Sequence, residues 1–296
     1  MSDDTITTIM DKITLWPDQP VFAAMDGAGF INLPRFLTNE RIPFRPLFLD
    51  RRSGDVGRSG PFMAIVPRER LKTFVSFSGV TEGSVFWNTS CNADEFHRHL
   101  RSLTMVRIPS SSSEESRKTR MVVFRHFDPK TVALTLPVMT LAQRARMFGP
   151  AQSLLISVPE DVLEAKRRID WPEPEKGPLS FTQEQMNAVT NGMNLRSRQK
   201  IVAYLRKTAP EQTAGMDDTT LLDFVEETEK AGEAWGLKTE AGQGRLAWLQ
   251  LMSEGKFIKN SDILTYMKTV QDSPDQGLKT LITASSSLAS QRERQG

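Results

Sequence analysis

Strand-like apolar runs fill the first 158 residues of this chain and are nearly absent after residue 180. That segregation limits the fold more than any other feature. "VFAAM" (21–25), "PLFL" (46–49), "FMAIV" (62–66), "SVFWN" (84–88), "LTMVRI" (103–108), "MVVFRH" (121–126) and "SLLISV" (153–158) are short runs bounded by turn residues. Such runs read as strands. The runs at 103–108 and 121–126 predict an antiparallel hairpin whose tip is the polar stretch "PSSSSEESRKTR". Residues 159–179 carry four prolines among alternating charges and read as a linker. From 180 onward the pattern is helical. "FTQEQM" supplies Thr182 as N-cap, Gln185 to close a capping box and Phe181 to staple against Met186. Further helices are expected at 218–235, 240–254, 260–271 and 274–289.

The expectation is therefore an α+β chain. A mixed α/β lobe with a largely antiparallel or mixed sheet covers residues 1–158. A linker follows at 159–179, and an all-helical lobe covers 180–296. Charge divides in the same way: 20 basic against 15 acidic residues over 1–158, and 18 against 21 over 159–296. A net charge of +2 calls for neither a nucleic acid nor an anionic membrane as partner. Cys91 is the single cysteine, so no intrachain disulfide can form, as suits a reducing cytoplasm. The acidic N-terminal stretch is unlike a signal peptide, and no run approaches the ~18 apolar residues of a membrane span. A cytoplasmic protein is expected.

Motifs for chemistry are scarce. "VFAAMDGAGFIN" has Gly27 and Gly29 after a strand, but Asn32 stands where a dinucleotide fingerprint needs its third glycine. Asp26 would also oppose a pyrophosphate, so a turn is the stronger reading and no cofactor is expected. His97 and His99 are two apart, about 200° around a helix, and cannot share a metal. No metal site is expected; the two histidines read as surface or rim residues and Cys91 as a small buried side chain. No nucleophile elbow of the form GxSxG occurs. Arg117, Lys118 and Arg120 are basic, but no aromatic residues interleave with them as a stacking platform requires.

"VVFRHFDPK" (122–130) places Arg125, His126 and Asp128 within four positions. One reading is catalytic. The other is structural: Asp128 as N-cap, Pro129 at the first helical position, and Phe127 with Val132 as a hydrophobic staple. Asn92 three residues before Glu95 marks another helix start, and Gly149-Pro150 a helix stop.

The stretch 124–150 resembles the signature of the type VI secretion effector chaperone/adaptor family. The match runs through Phe124, Arg125, Phe127, Asp128, Pro129, Leu136, Pro137, Gln143, Phe148, Gly149 and Pro150. It departs at His126, usually aromatic there, and at Lys130, usually Arg. "VFAAMDGA", "PLFLD", "GPFMAIVP" and "FHRHLRSL" are similar to the family in order, as are "FTQEQMNAV", "AWGLKTE" and "WLQLMSEGKF".

The resemblance implies a non-catalytic cytoplasmic adaptor. Its partners would be a cognate toxic effector, engaged through the effector's N-terminal region, and the valine-glycine-repeat (VgrG) spike or its PAAR tip protein. Candidate partner-binding side chains are Trp16, Phe30, Trp235, Trp248 and Phe257. The alternatives are a hydrolase or nuclease using His126 and Asp128, or a nucleic-acid-binding module.

Overall fold

The computed structural model describes residues 3–48, 60–110, 119–159, 161–270 and 273–293, with side chains to residue 283. The chain divides into two compact units, Met1–Thr190 and Asn191–Gly296.

The first unit is built on a six-stranded antiparallel sheet in the order β2-β3-β1-β4-β7-β8. Its strands are β1 (Val21–Asp26), β2 (Phe44–Pro46), β3 (Pro61–Val66), β4 (Ser84–Thr89), β7 (Ala151–Val158) and β8 (Asp161–Lys166). Between β4 and β7 the chain leaves the sheet to make a separate hairpin, β5 (Met105–Pro109) with β6 (Thr119–Val123).

Both faces of the sheet are covered, which is why its central strands read as unbroken apolar runs. Phe22, Ala24, Val85, Trp87, Leu154 and Ile156 point into one core. Their strand neighbours Ala23, Met25, Phe86 and Leu155 point into the other. Over the second core lie α1 (Asp3–Thr14), α2 (Leu33–Asn39), α3 (Leu71–Val75) and α4 (Val80–Gly83), through Ile9, Ile13, Leu37, Phe74 and Val80. Over the first lie the hairpin, α5 (Ala93–Ser102), α6 (Pro129–Thr135) and α7 (Leu141–Phe148), through Val106, Phe96, Val132 and Phe148.

Local chemistry sets the helix ends. Asn92 accepts the Glu95 N–H at 2.9 Å at the start of α5. Thr140 and Gln143 form a full capping box on α7. Thr182 and Gln185 exchange the same two bonds at the start of the long helix α8 (Gln183–Thr208).

In the second unit, Ile201 and Leu205 of α8 pack on Leu221 and Val225 of α10 (Asp218–Ala234) and Ala247 of α11 (Glu240–Met252). Between α8 and α10 lies the single turn α9 (Pro210–Thr213). A second cluster joins Leu246 and Leu249 to Met267 of α12 (Ser261–Thr269) and Leu278 of α13 (Pro274–Glu293). Arg198 spans to α10, donating to Glu229 at 2.6 Å.

The α+β class holds, with an antiparallel sheet in the first lobe and helices in the second. Three local readings change. Asp161–Lys166, read as the start of a linker, pair with β7 as the edge strand of the sheet. The "PLFL" run overlaps the strand only at Pro46, since the ladder residues are Phe44–Pro46 and Leu47 and Phe48 lie beyond them. Helix α1 had no counterpart in the sequence reading. The hairpin tip 111–118 lies outside the described residues, as do Leu49 and Asp50 of the "PLFLD" stretch.

Candidate functional site

The two motifs that carry the resemblance, "AMDGA" and "FRHFDPK", meet at one cleft of the first unit. The cavity measures about 390 Å³ and is lined by Asp26, Glu82, Arg125, Asp128 and Lys130, with Gly29 and Gly83 on its wall. Asp26 ends β1, and its carboxylate accepts the Ala28 N–H at 3.1 Å to close a tight 3-10 turn. Gly27-Ala28-Gly29 is thus a turn, as the sequence suggested.

On the other side, the Asp128 N–H donates to the Arg125 carbonyl at 2.9 Å, so Arg125–Asp128 is itself a turn. It delivers the chain from β6 into α6. Asp128 accepts the Lys130 N–H at 3.0 Å and the Thr131 hydroxyl at 3.1 Å, which makes it the N-cap of α6. Pro129 follows at the first helical position, and Phe127 and Val132 enter the same core cluster. Arg125 then reaches across the cleft to Asp26 at 2.8 Å and back to Asp128 at 3.5 Å.

His126 is not part of this cleft. Its side chain is fully buried between Phe124 and Phe127, with ring centroids 6.2 and 5.4 Å away. Neither ring nitrogen has a hydrogen-bond partner. Burial first, and then the nearby His99, push its pKa down to about 3, so the ring is neutral at pH 7. His126 and Asp128 therefore face different environments. The acid is engaged by a helix end, and the imidazole cannot reach a substrate in the cleft. A hydrolytic centre built on these two residues is not assembled.

His99 is half-buried. Its Nε2–H donates to the Met147 carbonyl at 3.0 Å, and burial lowers its pKa to about 4. His97 is half-buried and bonds the Pro46 carbonyl at 2.8 Å. Cys91 is also half-buried, and burial raises its thiol pKa. Among the described residues no three His, Cys, Asp or Glu side chains converge as metal ligands, and no helix is long and apolar enough to cross a membrane.

The remaining signature residues have packing or backbone duties. Phe124 and Phe148 are core. Gly149 takes a positive φ of 53° that ends α7, and the Pro150 carbonyl accepts the Thr89 hydroxyl at 3.2 Å.

The aromatic candidates for partner binding are also engaged within their own units. Trp16 is 7% exposed, and its indole N–H donates to Glu164 at 2.9 Å, tying the segment after α1 to β8. Phe30 is half-buried and stacks on Phe77, 6.4 Å between centroids, over Gly83. Trp235 and Phe257 pack on each other at 6.4 Å. Trp248 bridges both helical clusters. Trp16 and Phe30 belong to the first unit, and Trp235, Trp248 and Phe257 to the second. The Asp26–Arg125 pair joins two stretches far apart in sequence, and no spacing within either one signals it.

Residues 21–146 match the family model described as "Domain of unknown function (DUF4123)". The match opens on the first residue of β1 and closes within α7, so it takes in Asp26, His99, Arg125 and Asp128. No curated protein and no solved structure matches the chain.

Proposed function

We propose that this protein is a non-catalytic cytoplasmic adaptor of a bacterial type VI secretion system. In this reading it binds a toxic effector and helps load it on the valine-glycine-repeat spike or its PAAR tip. The observation that carries the reading is the family match over 21–146, together with the signature residues named above. That family is known as one of type VI effector adaptors.

The use those residues have is consistent with a binding role. Arg125 pairs with both Asp26 and Asp128 and so ties together a turn, a strand end and a helix start. A protein that presents surfaces needs such a scaffold and does not need a free base or nucleophile.

The test is co-expression with the effector encoded beside it, followed by purification through a tag on this chain. A stable complex, and effector levels that fall when this protein is deleted, are expected. An effector that stays equally abundant and equally secreted in the deletion strain overturns the reading.

A further inference from the structure

We propose that the outer edge of β6 is an acceptor for one extended segment of a protein partner, with apolar side chains at alternate positions and an acid between them. The proposal rests on the adaptor reading for the identity of the partner, but its evidence is separate.

Four strands of the first unit have only one strand neighbour, β2, β8, β5 and β6, and the outer edge of β5 is taken by Leu179 and Phe181. Open edges invite pairing with another chain, and proteins usually blunt them. Two of these are blunted. β2 has three residues and ends on Pro46, which has no N–H to offer. β8 spends the Val162 N–H on the Asp161 carboxylate at 2.7 Å.

The edge of β6, "TRMVV", has no such device among the described residues. Its hydrogen-bonding direction follows from its partner strand. Arg107 of β5 donates to the Leu179 carbonyl at 2.8 Å and accepts from the Phe181 N–H at 2.9 Å, so its main chain faces away from β6. Arg107 is opposite Met121, and antiparallel pairs alternate. The N–H and C=O of Met121 therefore point outward, as do those of Thr119 and Val123. The Phe124 N–H bonds the Thr104 carbonyl at 2.9 Å, in phase with this alternation.

The side chains complete the description of the occupant. The outer face of the hairpin shows Met105 (40% exposed), Met121 (43%) and Val123 (55%). Methionine suits a surface that must accept varied apolar partners. The described hairpin residues include exposed Arg107 and Arg120 and no acid. A strand added beside β6 would lay apolar side chains opposite Met121 and Val123 on one face and, on the other, set a carboxylate opposite Arg120, next to the residue that faces Met121.

The probe is a fluorescein-labelled, end-blocked peptide of about nine residues alternating Val and Asp, titrated into the full chain by fluorescence anisotropy, with a Val/Lys peptide as control. The acidic peptide should saturate and the basic one should bind at least about tenfold more weakly. Met121→Pro removes the outward N–H without touching the bonds to β5 and should lower affinity about tenfold. Arg120→Glu, an exposed change, should do the same if the proline variant is poorly folded.

Equal binding by folded variants, equal binding of the basic peptide, or no saturation by about 1 mM overturns the proposal. So does a wild-type dimer that Met121→Pro dissociates, since a second copy would then own the edge. The two readings fail separately. An effector captured equally by wild type and Met121→Pro sinks the edge and leaves the adaptor. Peptide binding without any effector capture does the reverse.

Discussion

The imidazole of His99 occupies the space into which a side chain at residue 149 would grow. A Cβ placed on Gly149 would fall 2.3 Å from the ring's Cε1, well inside contact distance. The ring cannot easily withdraw, because its Nε2–H is held by the Met147 carbonyl. Gly149 also has a φ of 53°, which L side chains rarely adopt. The "FGP" signature is thus a close approach between the end of α7 and α5. Gly149→Ala should destabilise the protein by about 2–4 kcal/mol in urea unfolding. The same change in a His99→Ala background should cost less, since only the backbone strain remains. Full additivity of the two changes would contradict the contact.

His126 should be replaceable with profit. Its two ring nitrogens are buried without partners, and each such group costs stability. His126→Phe, which puts an aromatic ring in the same pocket, should raise stability at pH 7 by about 1 kcal/mol. A clear loss in chemical denaturation at that pH would show that the nitrogens are satisfied after all.

Acid should unfold the first unit through the same rings. The folded pKa values, about 4 for His99 and about 3 for His126, lie below the ordinary 6.5 of an unfolded histidine. Between those limits the unfolded chain binds more protons than the native one. The stability at stake is therefore present in full above pH 6.5 and is lost as pH falls toward 4 and then 3. Each ring contributes a slope of ~1.4 kcal/mol per pH unit within its window. Thermal melts of His126→Phe between pH 4 and 7 should show a shallower decline than wild type. Parallel declines would rule out His126 as a source.

Asp128 and Arg125, three residues apart, should respond very differently. Asp128→Ala removes the cap of α6 and should cost about 1 kcal/mol. Asp128→Asn keeps an acceptor and should cost less. Arg125 is 54% exposed at its side chain, so its ion pair with Asp26 is weakened by solvent. A double-mutant cycle on Asp26 and Arg125 should return about 0.2–1 kcal/mol. A coupling several times larger would mean that the cleft is far less solvated than its geometry implies.

What was legible in the sequence depended on range. Asp128 with Phe127 and Val132, Asn92 with Glu95, and Thr182 with Gln185 are short-range devices, and reading them required only spacing. The central strands β1, β4 and β7 were legible because burial on both faces leaves continuous apolar runs. β8 was not, because an edge strand tolerates the charges of "DVLEAK" and borrows its register from β7. The Asp26–Arg125 pair depends on how β1 and the turn before α6 are brought together in space, which no local pattern encodes. The bond from Trp16 to Glu164 was equally hidden, because the two residues are far apart in sequence.

The sheet order has a consequence in time. β4 and β7 are neighbours, yet residues 90–150 lie between them. At usual rates of chain growth, several seconds on the order of 3–12 s separate the synthesis of the two strands. During that interval the fully buried edge of β4, carrying Val85, Phe86 and Trp87, has no strand to close it. Released chains that end near residue 110 should therefore be cut by protease within 84–89, and the full chain should resist there. The growing chain would thus have a short period of dependence on cellular holdases before its sheet is complete.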